Sequence, residues 1–146
     1  MKKLLLSTLL LLLTLSAFSQ KTYKVNTYYE DLGGYVIRVY NAGTHGTVVA
    51  MQDQGKGDWC QAASLANSNH TPAGAKFKDW FMPSLNDLGI MLEVYKNGNG
   101  AKLNDNTYWT STFNDAQEPF WGDFSTGVPD EGSTSNIRSL RAIRNF

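Results

Sequence analysis

Two short apolar runs in the first half of the chain predict its first β-strands. The run from Tyr35 to Tyr40 consists of β-branched and aromatic residues apart from Arg38, a composition that favours a pleated strand. A second run spans Thr47 to Met51, after the turn residues Asn41 to Gly43. This short polar spacing predicts an antiparallel hairpin, which later elements must cover because two strands alone bury too little surface.

The middle of the chain predicts two helices, and the first is short. Asp58 is a candidate N-cap. Small and aromatic residues then recur at helical spacing: Trp59, Ala62, Ala63 and Ala66. Residues 69–78 contain proline and glycine, a composition that predicts a connecting loop.

The second helix has the stronger start signal, because Ser84 and Asp87 have the spacing of a capping box. Large apolar residues then fall on one helical face: Leu85, Leu88, Met91, Leu92 and Tyr95. Two Asn-Gly steps at residues 97–100 predict the end of the helix. Gly89 inside the helix costs about 1 kcal/mol relative to alanine, so we expect a close contact with another element there.

The last third of the chain predicts three strands, at residues 108–113, 120–124 and 137–143. The connections, residues 114–118 and 125–135, are polar, and the longer one predicts an exposed surface loop. In the third strand apolar residues and arginines recur every third position, which breaks the alternation of period two. A bulge within one continuous strand would account for this pattern.

The N-terminus has the pattern of a secretory signal peptide. Lys2 and Lys3 precede an apolar run from Leu4 to Leu15, and small residues flank a cleavage site near Ser19. The run is shorter than the ~20 residues that a membrane-spanning helix needs. We therefore predict a signal peptide at residues 1–19 and a single exported domain at residues 20–146, with no membrane span after cleavage.

Charge and cysteine content narrow the classes of partner. Without Lys2 and Lys3 the 13 basic residues fall to 11, against 13 acidic residues, a net charge of −2. Such a balance does not indicate a nucleic-acid partner. Cys60 is the one cysteine, so an internal disulfide is excluded, and we expect its thiol to be buried as a small apolar group. Since no cysteine stands at the cleavage point, the exported product is expected to carry no lipid anchor.

Four motifs together resemble one protein family. They are Trp80-x-x-Pro-Ser-x-x-Asp-Leu88, Tyr108-Trp-Thr-Ser-Thr112, Phe120-Trp-Gly-Asp-Phe124 and the C-terminal segment Ile137-Arg-x-x-Arg-Ala-Ile-Arg-x-Phe146. This set resembles the DUF1566, or Lcl C-terminal, family of bacterial secreted domains. The resemblance implies an α+β, C-type-lectin-like fold with two helices packed on antiparallel strands, related to the fold of formylglycine-generating enzymes.

The motif residues themselves are interpreted as structural. Trp80 and Trp109 are large apolar groups whose indole N–H each needs one partner, so they fix elements in a small core. The C-terminal arginines, Arg138, Arg141 and Arg144, are expected to form surface ion pairs with carboxylates such as Asp87 and Glu93. Pairs of that kind stabilise a fold by only about 0–1 kcal/mol.

An enzymatic function finds little support in the residue types present. The nucleophile and base available are Cys60 with His45, and His70 has no neighbouring ligand set. Formylglycine-generating enzymes use active-site cysteines, whereas Cys60 stands alone on a predicted helix, so the resemblance is one of fold and not of activity. No His and Cys pair has zinc-ligand spacing, and we expect no cofactor.

A binding function finds candidate residues in the last third of the chain. Polar side chains gather around one tryptophan: Asn114, Asp115, Glu118, Trp121 and Asp123. Carboxylates and amides of this type bind Ca²⁺ or sugar hydroxyls, and an indole stacks on a sugar ring. The lectin calcium pattern is Glu-Pro-Asn with a later Trp-Asn-Asp, whereas this chain has Glu-Pro-Phe and Trp-Gly-Asp, which lack the amide ligands. Ca²⁺ therefore has no lectin motif to support it.

The sequence thus predicts a secreted recognition module that binds a glycan or a surface protein through its loops. The resemblance adds the loop at residues 125–135 as a second recognition face. A structural envelope or adhesin component without a small ligand is the alternative, and an enzyme of unassigned activity is the third.

Overall fold

A computed structural model describes residues 20–146, and the predicted signal peptide lies outside these residues. The described chain is a mixed α+β structure. In chain order its elements are β1 (Thr27–Tyr29), β2 (Gly34–Tyr40), a 3-10 turn (Asn41–Gly43), β3 (His45–Val49), β4 (Gly55–Gly57), α1 (Trp59–Ser64), α2 (Pro72–Ala75), α3 (Leu85–Lys96), β5 (Thr107–Phe113), β6 (Pro119–Asp123), β7 (Val128–Glu131), β8 (Arg138–Leu140) and β9 (Ile143–Asn145).

The strands form two sheets. One has the order β1-β2-β3-β9 and the other β4-β8-β5-β6-β7. Neighbouring strands are antiparallel except β5 and β8, which are parallel at Tyr108 and Ser139, so the expectation of antiparallel strands throughout is wrong at this position. An isolated antiparallel bridge between Phe81 and Ile143 attaches the segment before α3 to the first sheet.

The predicted hairpin is confirmed, with a shifted second strand. β2 pairs with β3 through the turn at residues 41–43, and β3 begins at His45 and ends at Val49. A bulge interrupts the register between Val36 and Arg38. β1 extends the sheet on the far side of β2.

The C-terminal segment forms two strands where we predicted one. β8 belongs to the five-stranded sheet and β9 to the four-stranded sheet, with Arg141 and Ala142 between them. The chain changes sheets at this point, which explains why a single alternation of period two fails. The irregular pattern that we attributed to a bulge therefore arises where the chain crosses from one sheet to the other.

Both predicted helices begin at their capping residues. Asp58 Oδ1 accepts a hydrogen bond from Gln61 N at 2.8 Å, and Gln61 Oε1 accepts one from Asp58 N at 3.2 Å. Ser84 and Asp87 form the same reciprocal pair at the start of α3, which ends at Lys96 as the Asn-Gly steps predict. Each pair satisfies backbone N–H groups that a helix leaves without partners.

Three local predictions are wrong. A short helix, α2, lies in the predicted loop 69–78 because Pro72 suits a first helical position. Cys60, which we expected to be buried, is exposed on α1. The residue of α1 that is buried is Ala62. A Cβ at Gly89 would meet no atom within 4 Å, so no close packing explains this glycine.

The predicted loop 125–135 contains an edge strand, β7. All four of its residues are exposed, which removes the hydrophobic signal of a strand. Pro129 has no N–H to offer, and Glu131 N donates to Asp130 Oδ1 at 2.8 Å. An edge with few free donors resists pairing with another chain.

Two buried clusters hold the sheets and helices together, and tryptophans fix the first. Trp80 Nε1 donates to Gly74 O and Trp109 Nε1 to Gly57 O, both at 3.0 Å, as expected for buried indoles. Met91 and Tyr108 lie in the second cluster, between α3 and the sheets. Within residues 20–146 no helix has both the length and the apolar character for a membrane span.

Candidate functional site

Asn114, Asp115 and Glu118 lie together in the tight turn between β5 and β6. Asn114 Oδ1 accepts a hydrogen bond from Glu118 N at 2.9 Å, and Asn114 N donates to Glu118 O at 2.9 Å. The Asn114 amide therefore closes the turn. The carboxylates of Asp115 and Glu118 lie at the surface, and no polar contact links them to each other.

Asp123 lies at the opposite end of β6. Its Oδ1 accepts hydrogen bonds from Ser125 N at 2.8 Å and Ser125 Oγ at 2.6 Å, and these bonds lower its pKa. The strand between Glu118 and Asp123 spans roughly 16 Å at ~3.3 Å per residue. The four polar residues therefore do not meet at one point, and residues 20–146 contain no group of three or more metal-ligating His, Cys, Asp or Glu side chains.

Trp121 lies between these two ends and is covered by an arginine. The guanidinium carbon of Arg138 lies 3.5 Å from the centroid of the Trp121 ring and 5.1 Å from that of Trp109. The Trp121 indole nitrogen is buried without a hydrogen-bond partner in the described chain. Arg138 thus occupies one face of the ring that the sequence had presented as a stacking surface.

The histidines and the cysteine have separate surroundings. His45 Nδ1 lies 2.9 Å from Thr44 Oγ1. His70 stacks on Trp80 with ring centroids 4.5 Å apart, and its Nε2 donates to Ala66 O at 2.8 Å. Burial lowers the pKa of His70. Each imidazole therefore has a local structural contact, and neither is hydrogen-bonded to Cys60.

An open pocket of about 550 Å³, which was not predicted from the sequence, lies beside β1. Its walls come from β1, the β3–β4 connection, the start of α2 and the loop after α3. The lining residues are Tyr28, Met51, Gln52, Thr71, Gly100 and Lys102. We refer to this feature as the Tyr28 pocket. Its volume lies within the ~300–1,000 Å³ typical of small-molecule sites.

The Tyr28 pocket combines an aromatic ring with several types of polar group. The side chain of Tyr28 is 43% exposed. Thr71 is the N-cap of α2, yet its hydroxyl makes no cap hydrogen bond and has no partner in the described chain. Gln52 contributes an amide, which donates to Asn69 O, and Lys102 contributes an ammonium group. The lining therefore combines one exposed ring with an amide and an ammonium group, whereas the Thr71 hydroxyl is buried.

The side chain of Arg141 connects two walls of the Tyr28 pocket through hydrogen bonds. It is 1% exposed, and its guanidinium donates to Ala50 O and to Lys102 O, each at 2.9 Å. Its Nε donates to Asp53 Oδ1 at 2.6 Å. One buried side chain thus connects the segment that carries Met51 to the loop that carries Lys102.

Tyr108 and Asn104 complete this network around Asp53. Tyr108 Oη donates to Asp53 Oδ1 at 3.0 Å, and Asn104 Nδ2 donates to Asp53 Oδ2 at 2.8 Å. Burial, followed by the charge of Asp53, raises the pKa of Tyr108 to about 12. The Asp53 carboxylate thus accepts hydrogen bonds from Tyr108, Asn104 and Arg141, and this network gives the pocket a rigid base.

The ion pairs of the C-terminal arginines differ from the predicted ones. Arg141 pairs with Asp53, and Arg144 pairs with Asp79 at 2.8 Å. Asp87 pairs instead with Arg38. The one sequence signal for the Tyr28 pocket was the Asn-Gly-rich segment after α3. In the structure, Asn99 and Lys102 of this region have positive φ angles of 48° and 53°.

No protein-family model matches the chain, and no curated protein is significantly similar to it in sequence.

Proposed function

We propose that this chain is an exported, non-enzymatic recognition domain that binds a glycan in the Tyr28 pocket. The observation that carries the proposal is the combination of one exposed aromatic ring with an amide and an ammonium group in an open pocket of about 550 Å³. Such a ring packs against the apolar face of a sugar, and the polar groups bond its hydroxyls.

The rigid base of the pocket supports recognition because it lowers the entropic cost of binding. Arg141 and Asp53 hold two walls in place before any ligand arrives, and a preorganised site loses little conformational freedom on binding. At Gly100 a Cβ would overlap the ring of Tyr35. A side chain at position 100 would therefore have to displace the Tyr35 ring where this wall meets β2.

A C-type-lectin-like fold of the DUF1566 type is part of this proposal. The coarse architecture, with two sheets and few helices, is compatible with it. Export follows from the signal-peptide pattern of residues 1–19. Ca²⁺ is not needed for the proposed contacts, because the pocket presents neutral and cationic groups.

A structural envelope or adhesin component is the second candidate. An apolar cleft of about 140 Å³ between α3 and the β6–β7 hairpin favours it. Leu92, Phe124 and Val128 are among its lining residues, and Val128 is 59% exposed. Exposed apolar groups of this kind are typical of protein contacts.

The test compares two exposed tyrosines on a glycan array, followed by calorimetric titration of any glycan that binds. Tyr28→Ala removes the pocket ring, and Tyr40→Ala is the matched control because Tyr40 is 47% exposed and lies outside the pocket. We expect Tyr28→Ala to weaken binding by about tenfold or more, as for loss of a good aromatic contact. Equal binding by both variants, or no bound glycan on broad arrays, would favour the structural role.

A further inference from the structure

Arg138 is the one arginine of the chain that has no carboxylate partner in the described residues. Arg38, Arg141 and Arg144 each form an ion pair with an aspartate. The side chain of Arg138 makes neither an ion pair nor a hydrogen bond with any residue from 20 to 146, and its Nε is buried without a partner. Its contacts are the two indole rings beneath it.

A partly buried guanidinium without a hydrogen-bond acceptor is unfavourable, because the protein has removed water and replaced it incompletely. Stacking on Trp121 at 3.5 Å offsets part of this cost. It also holds the planar group in one orientation. A guanidinium fixed in this way presents its N–H fork to a planar anion, and a carboxylate matches that fork with two parallel hydrogen bonds.

Two nearby carboxylates restrict the charge of such an anion. Asp123 and Asp130 interact with Arg138 through space, but each is hydrogen-bonded elsewhere. Asp123 Oδ1 accepts from Ser125, and Asp130 Oδ1 accepts from Glu131 N. Their repulsion would be about twice as large for a doubly charged phosphate or sulfate as for a single carboxylate. The two carboxylates therefore reduce the advantage that a dianion would otherwise gain from its stronger attraction to Arg138.

We propose that the Arg138–Trp121 stack is a binding site for the carboxylate of an acidic sugar. The choice of a sugar rests on the proposed glycan function. An extended peptide is the less favoured ligand, because the edge of β7 has few free N–H donors with which a peptide strand could pair. Arg138 bonds the carboxylate of a uronate in this site. The Tyr28 pocket is lined by other residues, so the two sites are tested separately.

The test titrates residues 20–146 with sodium glucuronate and follows the Trp121 indole N–H resonance by NMR. Glucose and the methyl ester of glucuronate are the neutral controls, and sulfate is the dianion control. We expect glucuronate to bind at least about tenfold more tightly than all three, the effect of a bidentate charged contact. Equal binding of glucuronate and its ester would overturn the proposal, as would tighter binding of an N-acetyl amino acid.

Variants separate this site from the Tyr28 pocket. Arg138→Lys keeps the charge and loses the fork, so glucuronate binding should fall about tenfold while the melting temperature stays near that of the parent. Asp130→Asn should strengthen binding, because it removes a repelling charge. Tyr28→Ala should leave binding at Arg138 unchanged. Loss of glucuronate binding in Tyr28→Ala, with retention in Arg138→Lys, would assign the carboxylate to the pocket and refute the Arg138 site.

Discussion

Removal of the Asp53 carboxylate should destabilise the domain by about 3–4 kcal/mol. Arg141 is 1% exposed and Asp53 is 18% exposed. In Asp53→Ala the guanidinium keeps its bonds to backbone carbonyls and loses its counter-charge. Breaking a buried ion pair by removal of one partner typically costs about 3–5 kcal/mol, because the remaining charge stays buried.

The magnitude follows from the bonds that the carboxylate accepts. The bond from Arg141 Nε, at 2.6 Å, is charge-assisted and contributes about 1.5–3 kcal/mol. The Tyr108 hydroxyl, at 3.0 Å, loses its acceptor for about a further 1 kcal/mol. Asn104 lies at the surface and recovers a bond to water. The sum is about 2.5–4 kcal/mol, and its upper part, about 3–4 kcal/mol, lies in the range for a broken buried pair.

The assay is urea unfolding of residues 20–146, followed by tryptophan fluorescence and analysed by linear extrapolation. Asp31→Ala is the matched control, because the Lys21–Asp31 pair is exposed, with side-chain exposures of 58% and 46%. Exposed pairs contribute about 0–1 kcal/mol. A loss below about 1 kcal/mol in Asp53→Ala would refute the assignment of Arg141 as a buried charge neutralised by Asp53.

The same variant gives a second readout through Tyr108. Burial and Asp53 raise its pKa from 10.0 to about 12. A raised pKa means that the folded state holds the proton more tightly, so stability is present below pH 10.0 and falls as the pH rises toward 12. Asp53→Ala should lower this pKa, as measured by ultraviolet titration of tyrosinate against a Tyr108→Phe reference. An unchanged pKa would contradict the proposed influence of the carboxylate.

Three further predictions concern local elements. Ser84→Ala should cost about 1 kcal/mol in urea unfolding, because it removes the hydroxyl that caps α3 through Asp87 N; no change would mean that Asp87 alone maintains this helix start. Gly89→Ala should stabilise the fold by up to about 1 kcal/mol, since a Cβ meets no atom within 4 Å, and destabilisation would reveal a constraint on that surface. Burial lowers the pKa of His70 below 6.5, so as the pH falls the unfolded state takes up a proton before the folded state does. The free energy of unfolding should therefore fall as the pH drops through and below 6.5. A His70→Phe variant, which keeps a ring against Trp80, should lose that pH dependence.

The elements that sequence predicted well are those specified by neighbouring residues. The Ser84–Asp87 capping box and the Asn-Gly end of α3 were both found where expected. The hairpin of β2 and β3 also formed around its predicted turn. In each case the deciding interactions join residues a few positions apart, so the pattern along the chain contains the information.

Elements without a local signal were missed or misjudged. β7 is fully exposed and therefore has no hydrophobic alternation. The segment 137–143 contained an arginine pattern that fitted no single strand, because the chain leaves one sheet and enters the other there. The position of that crossing depends on which strands it joins, and those strands lie far away in sequence.

The candidate sites likewise combine residues that have a local sequence signal with contacts that depend on residues far apart in sequence. From the sequence, Trp121 was predicted to be a binding residue among polar side chains. Only the packing of β8 beside β5, together with the side-chain arrangement, placed Arg138 over its ring. The Tyr28 pocket takes its walls from segments between residues 28 and 102, and Arg141 joins two of them across separations of 91 and 39 positions.

The type and start of the best-marked elements could therefore be predicted from local pattern, because caps, turns and periodicity act within a few residues. The partners of Arg138, Arg141 and Asp53 became known only from the folded arrangement of the chain. Ion pairs and pockets depend on distances between side chains, and the assembly of two sheets sets those distances only after strands distant in sequence have paired.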